Sequence, residues 1–185
     1  KHGQCWCGKA ECTSTEGHWG TSVQFLPTNT TNEFVLTSDT SYENDVCVET
    51  ETTVDGSLNF CLSGNHIDCN GNVRIGEYSN ATVIDCKNTG KLSNLIIEDN
   101  ALLYVYGGKI DNLTVLGEGS VLAYGGLYKE MHDYVVLAAG YSWIDNTDPE
   151  TMDEYPYTIA RLVTITFEAN GGSGEMESMT VVAGE

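Results

Sequence analysis

An all-β chain wound as a small parallel β-solenoid is the architecture this sequence predicts. Three observations carry that expectation. First, residues 91–108 (KLSNLIIEDNALLYVYGG) and 109–126 (KIDNLTVLGEGSVLAYGG) can be laid over each other. Both open on Lys, carry Asn-Leu at the fourth and fifth places and close on Tyr-Gly-Gly. Such a period marks a repeat fold, in which each unit buries its apolar face by stacking on the next. Second, the apolar residues alternate in short runs. Leu92, Leu95, Ile97, Leu103 and Val105 align with Ile110, Leu113, Val115, Val121 and Ala123, which is the signature of strands. Third, Asp99-Asn100, Gly117-Glu118-Gly119 and the Gly-Gly pairs punctuate the copies as bends.

One copy is therefore two strands and two bends, a path of about 60 Å at roughly 3.3 Å per residue. The next copy is expected about 4.8 Å above it. Gly107-Gly108 and Gly125-Gly126 are expected to stack at a tight corner that needs positive φ. Asn94 and Asn112 are expected to form a short polar ladder.

Along the chain, residues 1–20 form a Cys/His-rich cap with no hydrophobic periodicity. His2, Cys5, Cys7, Cys12 and His18 carry two competing readings. In one they supply a four-coordinate zinc site, because thiolates and imidazoles are its preferred donors. In the other the cysteines form disulfides, with Cys5 and Cys7 too close to bridge each other and so sent to different partners. The chain holds seven cysteines in all, which favours an oxidising compartment and leaves at least one outside intramolecular pairing.

Residues 21–143 are read as the solenoid. Its opening part is rich in Thr, Asn and Asp, with short strand-like runs. Residues 73–90 read as a degenerate coil in which Asn80, Ala81 and Val83 align with Asn100, Ala101 and Leu103. Residues 127–143 read as a decayed last coil, as expected for a solenoid end. Residues 144–161 (IDNTDPETMDEYPYTIAR) are acidic and read as a linker or capping loop. Asp145, Asp148 and Asp153 crowd there with Glu150 and Glu154. A calcium site is the sharper reading of that crowding and a solvated linker the plainer one. Residues 162–185 read as a β-hairpin: an alternating strand, a Gly-rich turn and a second strand.

Two segments resemble known families. Residues 58–72 (LNFCLSGNHIDCNGN) resemble an opening coil of the pectate-lyase-like right-handed β-helices of Gram-positive surface proteins. That resemblance puts Cys61, Cys69 and Cys86 in neighbouring coils, stacked or bridged, and makes His66 a turn or core residue. Residues 162–185 are similar to the opening of the Listeria–Bacteroides repeat, the internalin-type β-grasp module of Gram-positive surface proteins. The matching features are Val163, Ile165 and Phe167 of the first strand, the turn Asn170-Gly-Gly-Ser-Gly, Met176, the strand Thr180-Val-Val and Gly184-Glu185. Glu168 stands where the family more often has Asp, and only the first hairpin of the module is present. The resemblance implies a stalk unit preceded by a distal module.

The formal net charge is −19, from 27 acidic against 8 basic residues. That argues against nucleic acid and anionic membranes, which need clustered Lys and Arg. No apolar run is long enough to span a bilayer, so membrane insertion is not expected. The start at Lys1 and the end at Glu185 read as those of a mature or trimmed chain.

No nucleophile elbow, phosphate loop or His-Glu-x-x-His pattern is present. Arg74 near Asp85 is the one pair that suggests a site, and a surface ion pair is its plainer reading. If Leu103 and Val105 point inward, Tyr104 and Tyr106 point outward, Tyr124 stacks over Tyr106 and Tyr128 follows. These four tyrosines are the candidate contact residues, against the plainer reading that tyrosine is a good strand residue.

The expectation is a non-enzymatic module of a secreted or wall-attached bacterial protein, without a required cofactor. It would act in adhesion or as a spacer, with a glycan or a host surface protein as partner. The alternative is a fragment of a β-helical polysaccharide-active enzyme working through acidic groove residues.

Overall fold

The computed structural model describes residues 21–24, 26, 33–48, 57–167 and 177–183. The expected Cys/His-rich cap, with His2, Cys5, Cys7, Cys12 and His18, lies outside the described residues. These contain strands and no α-helix. In chain order the strands are β1 (Thr21–Val23), β2 (Glu33–Leu36), β3 (Thr40–Tyr42), β4 (Val46–Val48), β5 (Ser57–Cys61) and β6 (His66–Cys69). Next come β7 (Val73–Ile75), β8 (Asn80–Ile84), β9 (Lys91–Ile97), β10 (Leu102–Val105), β11 (Lys109–Val115) and β12 (Ser120–Ala123). The last five are β13 (Leu127–Tyr128), β14 (Val135–Leu137), β15 (Tyr141–Asp145), β16 (Tyr157–Ile165) and β17 (Met179–Val182).

The chain winds between two sheets. In the first, β1, β2, β5, β8, β10, β12 and β14 lie side by side in that order, all parallel. In the second, β3, β6, β9, β11 and β13 follow the same upward order, also parallel. Strands β4 and β7 extend it at the side and join it through β9. This is a parallel β-solenoid.

The two matched copies stack in the register their alignment predicts. Leu92 lies opposite Ile110, Leu95 opposite Leu113 and Ile97 opposite Val115. Leu103 lies opposite Val121 and Val105 opposite Ala123. Inward positions of successive coils form rows, and these rows are the core. Leu58, Phe60, Val83, Leu92, Ile97, Leu103, Val121 and Ala123 all have 0 % exposure. Removing such side chains from water is the main favourable term, about 1.5–3 kcal/mol for each of the larger ones.

Strict alternation breaks between Leu92 and Leu95, where two partly exposed residues, Ser93 and Asn94, stand together. In the coil beneath, the same path is divided into β6 and β7. The asparagine ladder sits at this break. Asn112 Nδ2 donates to Asn94 Oδ1 at 2.8 Å. Asn94 Nδ2 donates to the Cys69 and Gly71 carbonyls, both at 3.0 Å. At the opposite corner Gly108 and Gly126 take φ of 97° and 105°, which only glycine adopts without strain.

The coil below departs from the expected alignment by two residues. Asn80 lies opposite Leu102, Ala81 opposite Leu103 and Val83 opposite Val105, a step of 22 residues. The step from Leu102 to Ser120 is 18 residues. The extra length sits at one corner. Six residues, 85–90, separate β8 from β9, whereas three, 106–108, separate β10 from β11; Ile84, the extra last residue of β8 at the edge of that corner, makes up the difference of four. The sequence alignment implies a step of 20 residues, so it falls short by two, while a corner is where such an insertion is expected.

The upper end is closed by an antiparallel strand. β16 lies between β13 and β15, with Leu127 opposite Thr158 and Tyr141 opposite Arg161. The boundary expected at 161/162 therefore falls inside one strand. The second half of the expected linker is structured because Tyr155 and Ile159 are buried, at 1 % and 4 % exposure. Residues 162–165 pair antiparallel with β17, while the Gly-rich turn Asn170-Gly-Gly-Ser-Gly lies outside the described residues.

Candidate functional site

The outer side of the first sheet is built by alternation. Leu103 and Val105 face the core, so Tyr104 faces out, in a row running Asn59, Thr82, Tyr104, Leu122, Val136. A second outward row runs from Cys61 and Ile84 to Tyr106 and Tyr124. Hydrogen bonds from Tyr106 N to Val83 O (2.9 Å) and from Tyr124 N to Val105 O (2.8 Å) carry the sheet register on to the two tyrosines. None of these nine side chains is charged.

The Tyr106 and Tyr124 rings stack at 4.5 Å between centroids with 5° between planes. Tyr141 closes the stack edge-to-face at 5.6 Å and 79°. Burial, with the neighbouring Tyr124, pushes the Tyr106 hydroxyl up to about 12. The facing sides of the two rings are spent on one another, so the pair offers less of an open platform for a sugar ring. Tyr104 is half-buried and Val136 is 56 % exposed, so the face remains accessible.

Tyr128 does not belong to this surface. It lies opposite Ile110 in the inward row of the second sheet and has 0 % exposure. Its hydroxyl donates to Gly125 O at 3.1 Å, and its ring meets Trp143 edge-to-face at 4.9 Å. Its position in the chain suggested continuation of the tyrosine row, but the path has already crossed to the other sheet.

The outer side of the second sheet is charged. Lys91 lies opposite Lys109, and Asp111 stands two residues further along β11. Lys91 Nζ is 2.9 Å from Asp68 and 3.8 Å from Asp111. Lys129 Nζ is 3.0 Å from Asp111 and 3.7 Å from Glu154. The Tyr155 hydroxyl donates to Asp111 Oδ1 at 2.6 Å. Lys109 and Lys129 lie 5.7 and 5.5 Å from the Tyr155 ring centre. Burial, then the Asp111 carboxylate, pushes the Tyr155 phenol far above its ordinary range. The hydrogen bond from Lys91 lowers Asp68, and Asp68 in turn raises Lys91. Reading the sequence missed this cluster. Its one visible signal was the Lys that opens both copies.

Arg74 bridges Asp45 at 3.3 Å and Glu98, joining three successive coils, and does not pair with Asp85. Asp85 is buried and accepts from the Gly64 and Gly90 amides at 2.7 and 2.6 Å. His66 opens β6, its Nε2 lying 3.2 Å from Thr89 O, in keeping with a turn histidine.

Asp145, Asp148 and Asp153 do not converge. Asp148 is occupied by its own turn, accepting from Glu150 N at 3.0 Å and Thr151 Oγ1 at 3.1 Å. Among the described residues no three His, Cys, Asp or Glu side chains are grouped to hold a metal ion. No disulfide joins the described cysteines to one another, so of the two expectations for Cys61, Cys69 and Cys86, stacked or bridged, the bridge is not formed. A shallow polar cavity of about 290 Å³ sits at the glycine corner, lined by Asn88, Asn146, Asp148, Thr151 and Thr158 among others.

Comparison of the chain with protein-family models, with the sequences of curated proteins and with solved structures found no match.

Proposed function

We propose that this chain is a non-enzymatic contact module of a secreted or cell-surface bacterial protein, working in adhesion. The observation that carries the reading is the pair of uncharged rows, Tyr104, Leu122 and Val136 in one and Tyr106 and Tyr124 in the next, on a protein of net charge −19. Aromatic and aliphatic groups kept clear of charge suit the core of a protein–protein contact. A protein partner is favoured over a glycan because the tyrosine ring faces are already stacked on each other. The similarity of residues 162–185 to an internalin-type repeat supports a surface stalk beneath the module, and with it an extracellular, Gram-positive setting.

One observation favours a second reading, a polysaccharide-active enzyme: the Lys91, Asp111, Lys129 and Tyr155 cluster. General base catalysis needs a group poised near the working pH. Tyr155 is held protonated by burial and Asp111, and Lys91 is held protonated by Asp68. The cluster is therefore better suited to fastening coils together.

Immobilised chain tested against a panel of extracellular-matrix proteins, a glycan array and polygalacturonate separates the readings. Adhesion predicts binding to a protein and no turnover. Release of unsaturated or reducing sugar ends from polygalacturonate would replace it with the enzyme reading.

A further inference from the structure

Two thiols of neighbouring coils are brought together outside the core. Cys61 ends β5 and lies opposite Ile84 of β8, and Cys86 stands two residues beyond Ile84. Both belong to an apolar cluster on the outer side of the first sheet, with Val35, Ile84 and Tyr106. Cys61 is buried at 2 % exposure, whereas Cys86 is only partly buried.

The backbone around them is held by one carboxylate. Asp85 accepts from Gly64 N at 2.7 Å, Gly90 N at 2.6 Å and Lys87 N at 3.4 Å. It thereby ties the corner after Cys61 to the corner that carries Cys86. Leu62 N donates to Ile84 O at 2.9 Å, and Thr89 Oγ1 donates to Gly64 O at 3.4 Å.

The two thiols hydrogen-bond each other, and Ser63 also hydrogen-bonds Cys86. These contacts, Cys61 first, bring Cys86 down to about 7 against the opposing pull of burial and Asp85. The same hydrogen bond, with burial, pushes Cys61 up. Cys86 is the more exposed sulfur, the one an incoming oxidant reaches first, and Cys61 lies buried behind it. A partly exposed, acidic thiol beside a second cysteine is the arrangement of redox-responsive pairs.

We propose that Cys61 and Cys86 are an oxidisable pair, in which Cys86 attacks a small disulfide oxidant and Cys61 resolves the adduct into a bond between successive coils. With glutathione disulfide, the Cys86 thiolate attacks one sulfur, breaks the S–S bond and releases one glutathione thiolate. The Cys61 thiol then loses its proton to solvent, and its sulfur displaces the second glutathione from Cys86. Two electrons pass from the protein sulfurs to glutathione. The sum is two protein thiols plus one glutathione disulfide giving one protein disulfide plus two glutathiones.

The test uses the whole chain, reduced and then equilibrated with glutathione disulfide. Peptide mapping is expected to find Cys61 linked to Cys86. Pulse alkylation with iodoacetamide at pH 7 is expected to label Cys86 about tenfold faster than Cys69, in line with its larger thiolate fraction. In Cys61→Ser, Cys86 is expected to stop at a stable glutathione adduct. Wild-type protein whose Cys61 and Cys86 stay unlinked, or link to other cysteines, overturns the pair. Equal alkylation of Cys86 and Cys69 overturns the assignment of Cys86 as the attacking group. Neither wild-type readout depends on a variant folding.

Discussion

The two sheets of this solenoid share one core and turn opposite kinds of surface outward. Over the first, successive coils place Thr82, Tyr104, Leu122 and Val136 in one row, with Ile84, Tyr106 and Tyr124 in the next. Over the second they place Asp68, Arg74, Lys91, Lys109 and Asp111, most of them tied in ion pairs that cross from coil to coil. Parallel in-register stacking repeats whatever occupies an outward position, so like meets like unless the sequence intervenes. Lys91 under Lys109 would repel, and Asp68, Asp111 and the Tyr155 ring offset that repulsion. The charged face is thus satisfied within the chain. The uncharged face has no such internal requirement, and this is why it is the better candidate for an external contact.

The comparison can be broken at four points, from the largest expected effect to the smallest. First, both faces rest on the shared core. Leu103→Ala should cost about 2–5 kcal/mol, against under about 1 kcal/mol for Leu122→Ala on the same sheet's outer side. Urea melts of the two variants check this, and equal losses would mean the inward and outward assignments are wrong.

Second, Asp111→Ala should cost about 1–3 kcal/mol, because it strands the buried Tyr155 hydroxyl and leaves Lys91 and Lys129 short of a partner. Denaturation of Asp111→Ala with and without Tyr155→Phe would show it. The second substitution should recover part of the loss.

Third, a double-mutant cycle on Tyr106→Ala and Tyr124→Ala should give a coupling of about 0.5–1.5 kcal/mol for the stacked pair. Raising salt to about 1 M should leave that coupling in place, while the Lys91–Asp68 pair, about 0.2–1 kcal/mol, should shrink. A stack as salt-sensitive as the ion pair would erase the distinction between the faces.

Fourth, burial lowers His132 below its ordinary 6.5. The unfolded chain then takes up the proton more readily than the folded one. This contribution to stability is full above pH 6.5 and is lost as pH falls through 6.5 toward the folded-state pKa. Urea midpoints of wild type and His132→Gln between pH 7.5 and pH 5 should converge on the acid side.

Legibility in the sequence followed the mechanism that sets each feature. Where two coils have equal length, alignment is register, and Leu92 over Ile110 or Leu103 over Val121 could be read residue by residue. Where a corner grew, as at residues 85–90, alignment without geometry slid by two. The Tyr106–Tyr124 stack followed from alternation alone. Tyr128 was misread because nothing in its local sequence marks the crossing into the inward row of the other sheet. The Lys–Asp–Tyr155 cluster draws on positions 68, 91, 111, 129 and 155, which only the winding of the chain brings together. The thiol pair was legible as cysteines of neighbouring coils. Its asymmetry was not, since that depends on the hydrogen bonds and burial at one corner.

The uncharged face as the contact surface is tested most directly by one titration. Wild type, Tyr106→Ser/Tyr124→Ser and Lys91→Ser are compared for binding to the immobilised protein the chain captures best. The account predicts at least about a tenfold loss for the tyrosine variant, about 1.4 kcal/mol, and near wild-type binding for the lysine variant. The reverse order, with Lys91→Ser losing binding and the tyrosine variant keeping it, would contradict the account and move the contact to the charged sheet.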